Sequence, residues 1–404
     1  MRVFVLFLAF LSSTLGFSQV LKETIDSKKL NGTRSFTITL PPNYESNTDK
    51  KYPTLLLLDG EYLTGPFDGT LKYGNYWDDL PEMIIISLNQ NYGEQRFLDS
   101  EFDEAGLPAG TGAKFFEFIG FELLPYVEGK FRTQPFRVIA GHDTTAGFLN
   151  FYLYKDNPIF NGYISLAPEM APEMEKRVAE RLATITTPIM YYQATGEGDL
   201  EELREKTAAL DQNINAIPNK NFRYQFDDFK GASHYSLVAE AIPSALYFIF
   251  DGYQPISMVE FQNKIVKMDS GYTQYLIDKY KNIEDKLGLK IKPRLTDFQA
   301  IEAAILKNKA YTELQELSEF AEKSYPKTTL SIYHQALYYE KVGEFKRAIR
   351  EYNKAFTREP IREISVDYML NRAEKLKGKE DASKTEEYVE PTPEEGTGEN
   401  KEGE

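Results

Sequence analysis

The chain contains no cysteine. That excludes disulfides, a thiol nucleophile and the lipid-bearing cysteine of a lipoprotein. Histidine is scarce, with three in 404 residues. His142, His234 and His334 are isolated from one another, and the scattered carboxylates lack ligand spacing, so no metal is expected. No glycine-rich phosphate or dinucleotide loop occurs, so no cofactor is expected either. Basic residues are outnumbered, 47 Lys and Arg against 62 Asp and Glu, for a net charge of −15. That balance argues against nucleic acid or an anionic membrane as partner, since both require a basic face. No apolar run is long enough to span a bilayer, and the longest, Val3 to Leu15, falls short of one.

That first run reads as a processing signal. Arg2 gives a basic start, and Gly16-Phe17-Ser18 places small residues at the −3 and −1 positions before Gln19. Residues 1–18 are therefore expected to be a signal peptide. The protein is expected to be exported, to the periplasm of a diderm bacterium or into the medium. A length of 404 residues suggests two domains, and a 42% hydrophobic share supports a sizeable core. With 27 Tyr and 27 Phe against one Trp, much of that core is aromatic.

Arg34 to Leu40 alternates, with Phe36, Ile38 and Leu40 on one face, and predicts a half-buried strand. Leu55 to Leu58, Met83 to Leu88, Phe136 to Ala140, Gly162 to Leu166 and Pro188 to Gln193 are continuous apolar runs. They predict strands buried on both faces, as in a parallel sheet. Phe222 to Phe226 is a shorter sixth run. Helix-period segments lie between them, the clearest from about Lys114 to Phe131. The alternation predicts an α/β fold with a doubly wound, mostly parallel sheet and ligands at the carboxyl ends of the strands. Asp59-Gly60, Asp143, Asp199 and the loop ending in His234 all fall at such ends.

Past Gly252 the strand runs stop, and Met258 to Leu287 reads as helical and charged. Tyr311, Leu314, Ala321 and Pro326 then recur 34 residues later as Phe345, Ala348, Ala355 and Pro360. That period, with small residues and a closing proline at fixed offsets, resembles the tetratricopeptide repeat. An all-α domain is expected over residues 253–377, closed by a capping helix over Ile361 to Leu376. Two repeats bury little by themselves, so docking on neighbouring structure is expected. Their free face would suit a peptide or an envelope protein. Residues 378–404, rich in Glu, Gly, Thr and Pro, are expected to be a disordered acidic tail.

The stretch Phe136 to Gly147 reads as strand, tight turn and helix start. With Leu58-Asp59-Gly60-Glu61, Arg96 to Asp99, Glu122-Leu123-Leu124-Pro125-Tyr126, Gly141-His142 and His234 followed by Ser236-Leu237, residues 33–250 resemble the α/β hydrolases. The branch is the putative-esterase one, which holds esterase-D-like and siderophore-esterase-like enzymes. The resemblance implies a hydrolase domain over 19–252 and a small ester or related substrate. It also implies a nucleophile, an acid and a histidine, in that chain order.

Asp143 occupies the tip of the elbow, where the family carries serine, and Thr145 stands where a glycine is usual. His234 is the implied base, and His142, beside the tip, reads as structural. The orienting acid follows the strand at 188–193 and is Asp199 or Glu197; Asp199 could instead cap the next helix. The oxyanion donors would be the backbone N–H of Thr144 and that of Gly60 or Glu61. An aspartate tip permits three readings: a carboxylate nucleophile as in dehalogenases and epoxide hydrolases, a displaced nucleophile such as Thr144 or Thr145, or a site without activity. In the last case the chain would be a binding or scaffold protein.

Overall fold

A computed structural model describes residues 20–218 and 221–386, with backbone only from 379 onward. The signal segment 1–18 and residues 387–404 of the acidic tail lie outside the described residues. The chain divides into two compact units, Met1–Gln254 with Ile283–Lys290, and Pro255–Asn282 with Ile291–Glu404.

The first unit is built on one eight-stranded sheet: β1 (Val20–Ser27), β2 (Gly32–Thr39), β3 (Tyr52–Leu57), β4 (Ile84–Leu88), β5 (Thr133–His142), β6 (Gly162–Leu166), β7 (Ile189–Gly198) and β8 (Phe222–Ser233). Their spatial order is β1-β2-β4-β3-β5-β6-β7-β8. The β1–β2 and β2–β4 pairs are antiparallel, and all pairs from β4 through β8 are parallel. Every residue of β3, β4 and β6 is buried, which explains their uninterrupted apolar sequences. β2 alternates instead, with Phe36 and Ile38 turned into the core.

β1 carries no apolar run and was not expected. It is an edge strand whose Leu21 and Ile25 are half-buried while Lys22, Thr24 and Asp26 are exposed. β7 and β8 run past their apolar stretches as a polar ribbon, with Gly198 paired to Ser233. The helical segment before β5 begins earlier than expected, at Gly110, and contains a π-turn at Ile119–Leu123. Pro125, the second residue of the helix that follows, has no N–H to continue the α-helical ladder, and the π-turn absorbs that break.

The chain goes from β3 to β4 on one side of the sheet and returns to β5 on the other. That reversal opens a crevice above the carboxyl ends of β3 and β5, where Asp59 and Asp143 stand. Asp143 takes φ 59° and ψ −122°, between β5 and the helix Thr144–Leu149. A side chain at positive φ is strained, at a cost of about 1–3 kcal/mol, and the surroundings must hold it. They hold it by close packing. A Cβ on Gly141 would lie 2.8 Å from the Thr145 carbonyl, and one on Gly147 would lie 1.8 Å from the Glu169 carbonyl oxygen. The turn therefore needs its small residues at 141 and 147, and Thr145 fills the space beside Gly141. Gly147→Ala is expected to destabilise this unit by about 1–3 kcal/mol or more, measured by urea unfolding. A variant as stable as the parent would refute the packing argument.

The second unit is helical. Leu295–Lys307 and Glu313–Ser324 form one helix pair, and Thr329–Lys341 and Phe345–Asn353 the next. Ala321, Ala336, Ala348 and Ala355 are fully buried at the crossings. The last helix runs over Val366–Glu386 rather than from Ile361 to Leu376. Arg362 at φ 46° and a bridge between Ile361 and Ile364 delay its start. Lys, Glu, Ala and other good helix formers carry it past Gly378. Among the described residues no helix is long and apolar enough to cross a membrane.

Candidate active site

The crevice above β3 and β5 is a cavity of about 530 Å³, lined by Tyr62, Pro66, Asn91, Arg96, His142, Asp143, His234, Tyr235, Val238 and Ala239. Asp143 and His234, which lie far apart in sequence, thus face one space. His234 enters it from the turn between β8 and the helix Ser236–Ile249.

The strand register decides which acid His234 meets. Because Gly198 pairs with Ser233, the next residues of the two strands, Asp199 and His234, stand side by side. The Nδ1–H of His234 reaches Asp199 Oδ1 at 2.7 Å. The same oxygen accepts from the Leu200 amide at 2.9 Å, and the carboxylate is fully buried. Asp199 is not the cap of the following helix, whose N-cap is Leu200. Glu197 falls in the bulge between Gly196 and Gly198, is exposed, and accepts from the Gly231 amide at 2.9 Å.

Asp59 is the hub of a second network. It ends β3 in a left-handed conformation, φ 54° and ψ 42°, and is fully buried. Arg96 donates to it through Nε at 2.7 Å and Nη2 at 3.1 Å. Thr145 Oγ1 donates to it at 2.6 Å, and the Tyr62 hydroxyl lies 3.0 Å from it. Arg96 also donates to the His142 carbonyl at 2.8 Å and to Asp143 Oδ2 at 3.2 Å. The elbow tip is therefore paired to a guanidinium that a buried carboxylate holds in place. Thr145, in the usual glycine position, ties the elbow to this hub.

Thr144 Oγ1 donates to Glu169 at 2.7 Å. The amides of Thr144, Gly60 and Glu61 lie in the first turns of their helices, where N–H groups lack intrahelical acceptors. Gly60 packs against β4, where a Cβ would meet Ser87 Cβ at 2.7 Å. The Glu61 side chain turns to the Asn91 amide at 2.8 Å. Neither Gly60 nor Glu61 belongs to the cavity wall.

The two cavity histidines are driven in opposite directions. The hydrogen bond to Asp199 raises His234 above its ordinary pKa, with burial opposing and the Asp199 and Asp143 charges adding to the rise. Burial, then the His234 charge, lowers His142 to about 4. Burial pulls Arg96 down, but Asp59 more than restores it, so the guanidinium stays charged. A base must be neutral to accept a proton, so any rate that uses His234 as base rises with pH through its raised pKa. Asp199→Asn removes the largest cause of that rise. The pH–rate limb is expected to move to lower pH and the rate to fall by roughly 10³–10⁴-fold, as loss of a triad acid does elsewhere. An unchanged profile would exclude Asp199 as the orienting acid.

Residues 27–236, just over half of the chain, match the model of the family described as Putative esterase. The chain belongs to that family. Among solved structures, an uncharacterised protein from Capnocytophaga ochracea is 29% identical, with a TM-score of 0.80 over 89% of this chain and 100% of its own. An IroE-like serine hydrolase from Shewanella oneidensis is 19% identical, with a TM-score of 0.58 over 75% of this chain and 99% of its own, a likeness of fold alone. No curated protein matches the chain.

Within this esterase-family frame, sequence reasoning gave no site role to Arg96 or Tyr62. Asp59 was expected at a strand's carboxyl end but without its partner, because nothing local pairs a residue after β4 with one after β3. Tyr62 carried no signal beyond its place one turn into a helix. His142 was expected to be structural; it is 2% exposed, yet its ring forms part of the cavity wall.

Proposed function

We propose that this chain is an exported esterase-like hydrolase of a small ester or related substrate, with Asp143 in the nucleophile position. The observation that supports it best is the Asp199–His234 pair at 2.7 Å, facing an open cavity with Asp143. In this reading Asp143 attacks the electrophilic carbon of the ester, and the C–O bond breaks. Protonated His234 gives its proton to the departing alkoxide. His234, now neutral, takes a proton from water, whose hydroxide attacks the covalent intermediate and releases the acid and the Asp143 carboxylate. The Thr144 amide, directly after the tip, serves as an oxyanion donor. Cleavage before Gln19 would export the protein, to the periplasm or into the medium.

One observation favours a second reading, a catalytically inactive member that binds through its cavity or its helical repeats. The Arg96 contact with Asp143 at 3.2 Å withdraws charge from the carboxylate that should attack. In that reading the helix pairs are tetratricopeptide-like repeats for a peptide or envelope protein. The deciding test is a screen of the protein lacking residues 1–18 against p-nitrophenyl esters, haloalkanes and epoxides, with His234→Ala as control. Turnover abolished by His234→Ala supports the hydrolase. No turnover on any set by a folded protein overturns it.

A further inference from the structure

We infer that His142 is a positioning residue that ties the loop carrying His234 to the nucleophile elbow. The role goes beyond the proposed hydrolase and, for its kinetic consequence only, rests on it. β5, which carries the elbow, and β8, which leads to His234, are separated in the sheet by β6 and β7. No direct strand pairing therefore joins tip and base. Asp199, just past the end of β7, orients the His234 imidazole.

His142 spans that gap. It is the last residue of β5, and its Nε2 lies 3.0 Å from the His234 carbonyl oxygen. A carbonyl only accepts, so Nε2 carries the ring proton. Nδ1 of the neutral ring is then an acceptor, and the Tyr62 hydroxyl stands 3.1 Å from it. That hydroxyl also lies 3.0 Å from Asp59 Oδ2, and its single proton goes to one of these two acceptors at a time, so it stands between His142 and the buried hub that holds Arg96 and Thr145. The two imidazoles pack with centroids 4.5 Å apart and planes tilted by 39°. The His234 side chain is thus fixed by Asp199 and its main chain by His142.

The same bonds keep His142 from acting as a competing base. Its Nε2 has no lone pair to offer, and its Nδ1 faces Tyr62 rather than the substrate space. The charged or titratable groups around it are His234, Asp143, Asp59, Tyr62 and Arg96. Those around His234 are Asp199, Asp143, Arg96, His142 and Tyr235.

The test uses two substitutions and two readouts. His142→Phe keeps a ring but removes the donor. His142→Gln places an amide N–H near the position of Nε2. With three histidines in the chain, ¹⁵N-histidine NMR observes each ring separately. In the parent, His142 is expected as the Nε2–H tautomer, and the His234 Nδ1–H as a protected downfield signal. His142→Phe should broaden or abolish that His234 signal and shift the His234 titration, and His142→Gln should restore both. In kinetics, His142→Phe should lower kcat by roughly 10–10²-fold with KM nearly unchanged, as misplacement of a catalytic group does, and His142→Gln should recover most of it. Should His142→Phe not fold, His142→Asn, whose amide stops short of the carbonyl, takes its place. A His234 signal and titration unchanged by loss of the donor would overturn the inference, as would failure of His142→Gln to restore them. If the parent turns over no ester, the proposed function fails while the NMR result still decides the role of His142.

Discussion

Asp143→Ser is expected to raise hydrolysis of short acyl esters by roughly 10²–10⁴-fold, the range that separates intact from incomplete triads. A carboxylate has no proton for His234 to remove, and its attack on an acyl carbon yields an anhydride. A serine hydroxyl is activated directly by the His234–Asp199 pair. The substitution should be tolerated, because the elbow is held by Gly141, Gly147 and Thr145 rather than by the Asp143 carboxylate. Arg96 would keep its bonds to Asp59 and the His142 carbonyl. Initial rates on p-nitrophenyl acetate and butyrate measure the effect. A folded serine variant no faster than the parent would show that the tip residue does not limit the site. A parent already fast on these esters, with a slower serine variant, would establish the carboxylate as a competent nucleophile.

The second large effect is on stability. Asp59→Ala is expected to cost about 3–5 kcal/mol, because it leaves the Arg96 charge in a mostly buried place without its main partner. It also removes the shorter of the two acceptors of the Thr145 hydroxyl, which lies 2.6 Å from Asp59 and 3.0 Å from the His142 carbonyl. Asp143 contacts Arg96 through a single bond at 3.2 Å and replaces little of the bidentate pair. In thermal unfolding the fall should be on the order of 10 °C. Adding Arg96→Met should recover part of it, since removing both charges costs less than stranding one. A single variant that melts with the parent, or a double variant that melts lower still, would refute the hub role of Asp59.

Much of the fold was legible because burial leaves a direct mark on sequence. A strand covered on both faces must be apolar throughout, so β3, β4, β5, β6 and β7 announced themselves as runs. β1 and the outer halves of β7 and β8 are held by backbone pairing in partly exposed positions. That pairing makes no demand on side-chain polarity, so they left no such mark. The ends of the last helix were displaced for a similar reason. A single left-handed residue, Arg362, delays it, and no residue type declares that conformation without glycine.

The sequence by itself determined that a strand–turn–helix elbow carries an aspartate at its tip. It also determined that a histidine and two candidate acids follow in the order an α/β hydrolase requires. These are properties of residue type and spacing along one chain. Only the tertiary structure set one of the two acids beside His234. Glu197 and Asp199 are two residues apart, and a β-bulge at Gly196–Gly198 turns the first to the Gly231 amide and leaves the second beside His234. Only the tertiary structure joined Asp143 to Arg96, and His142 to the His234 carbonyl. Such partners come from different strand ends, and their distances follow from sheet order and register. These are set by the packing of the whole unit, and no local pattern encodes them.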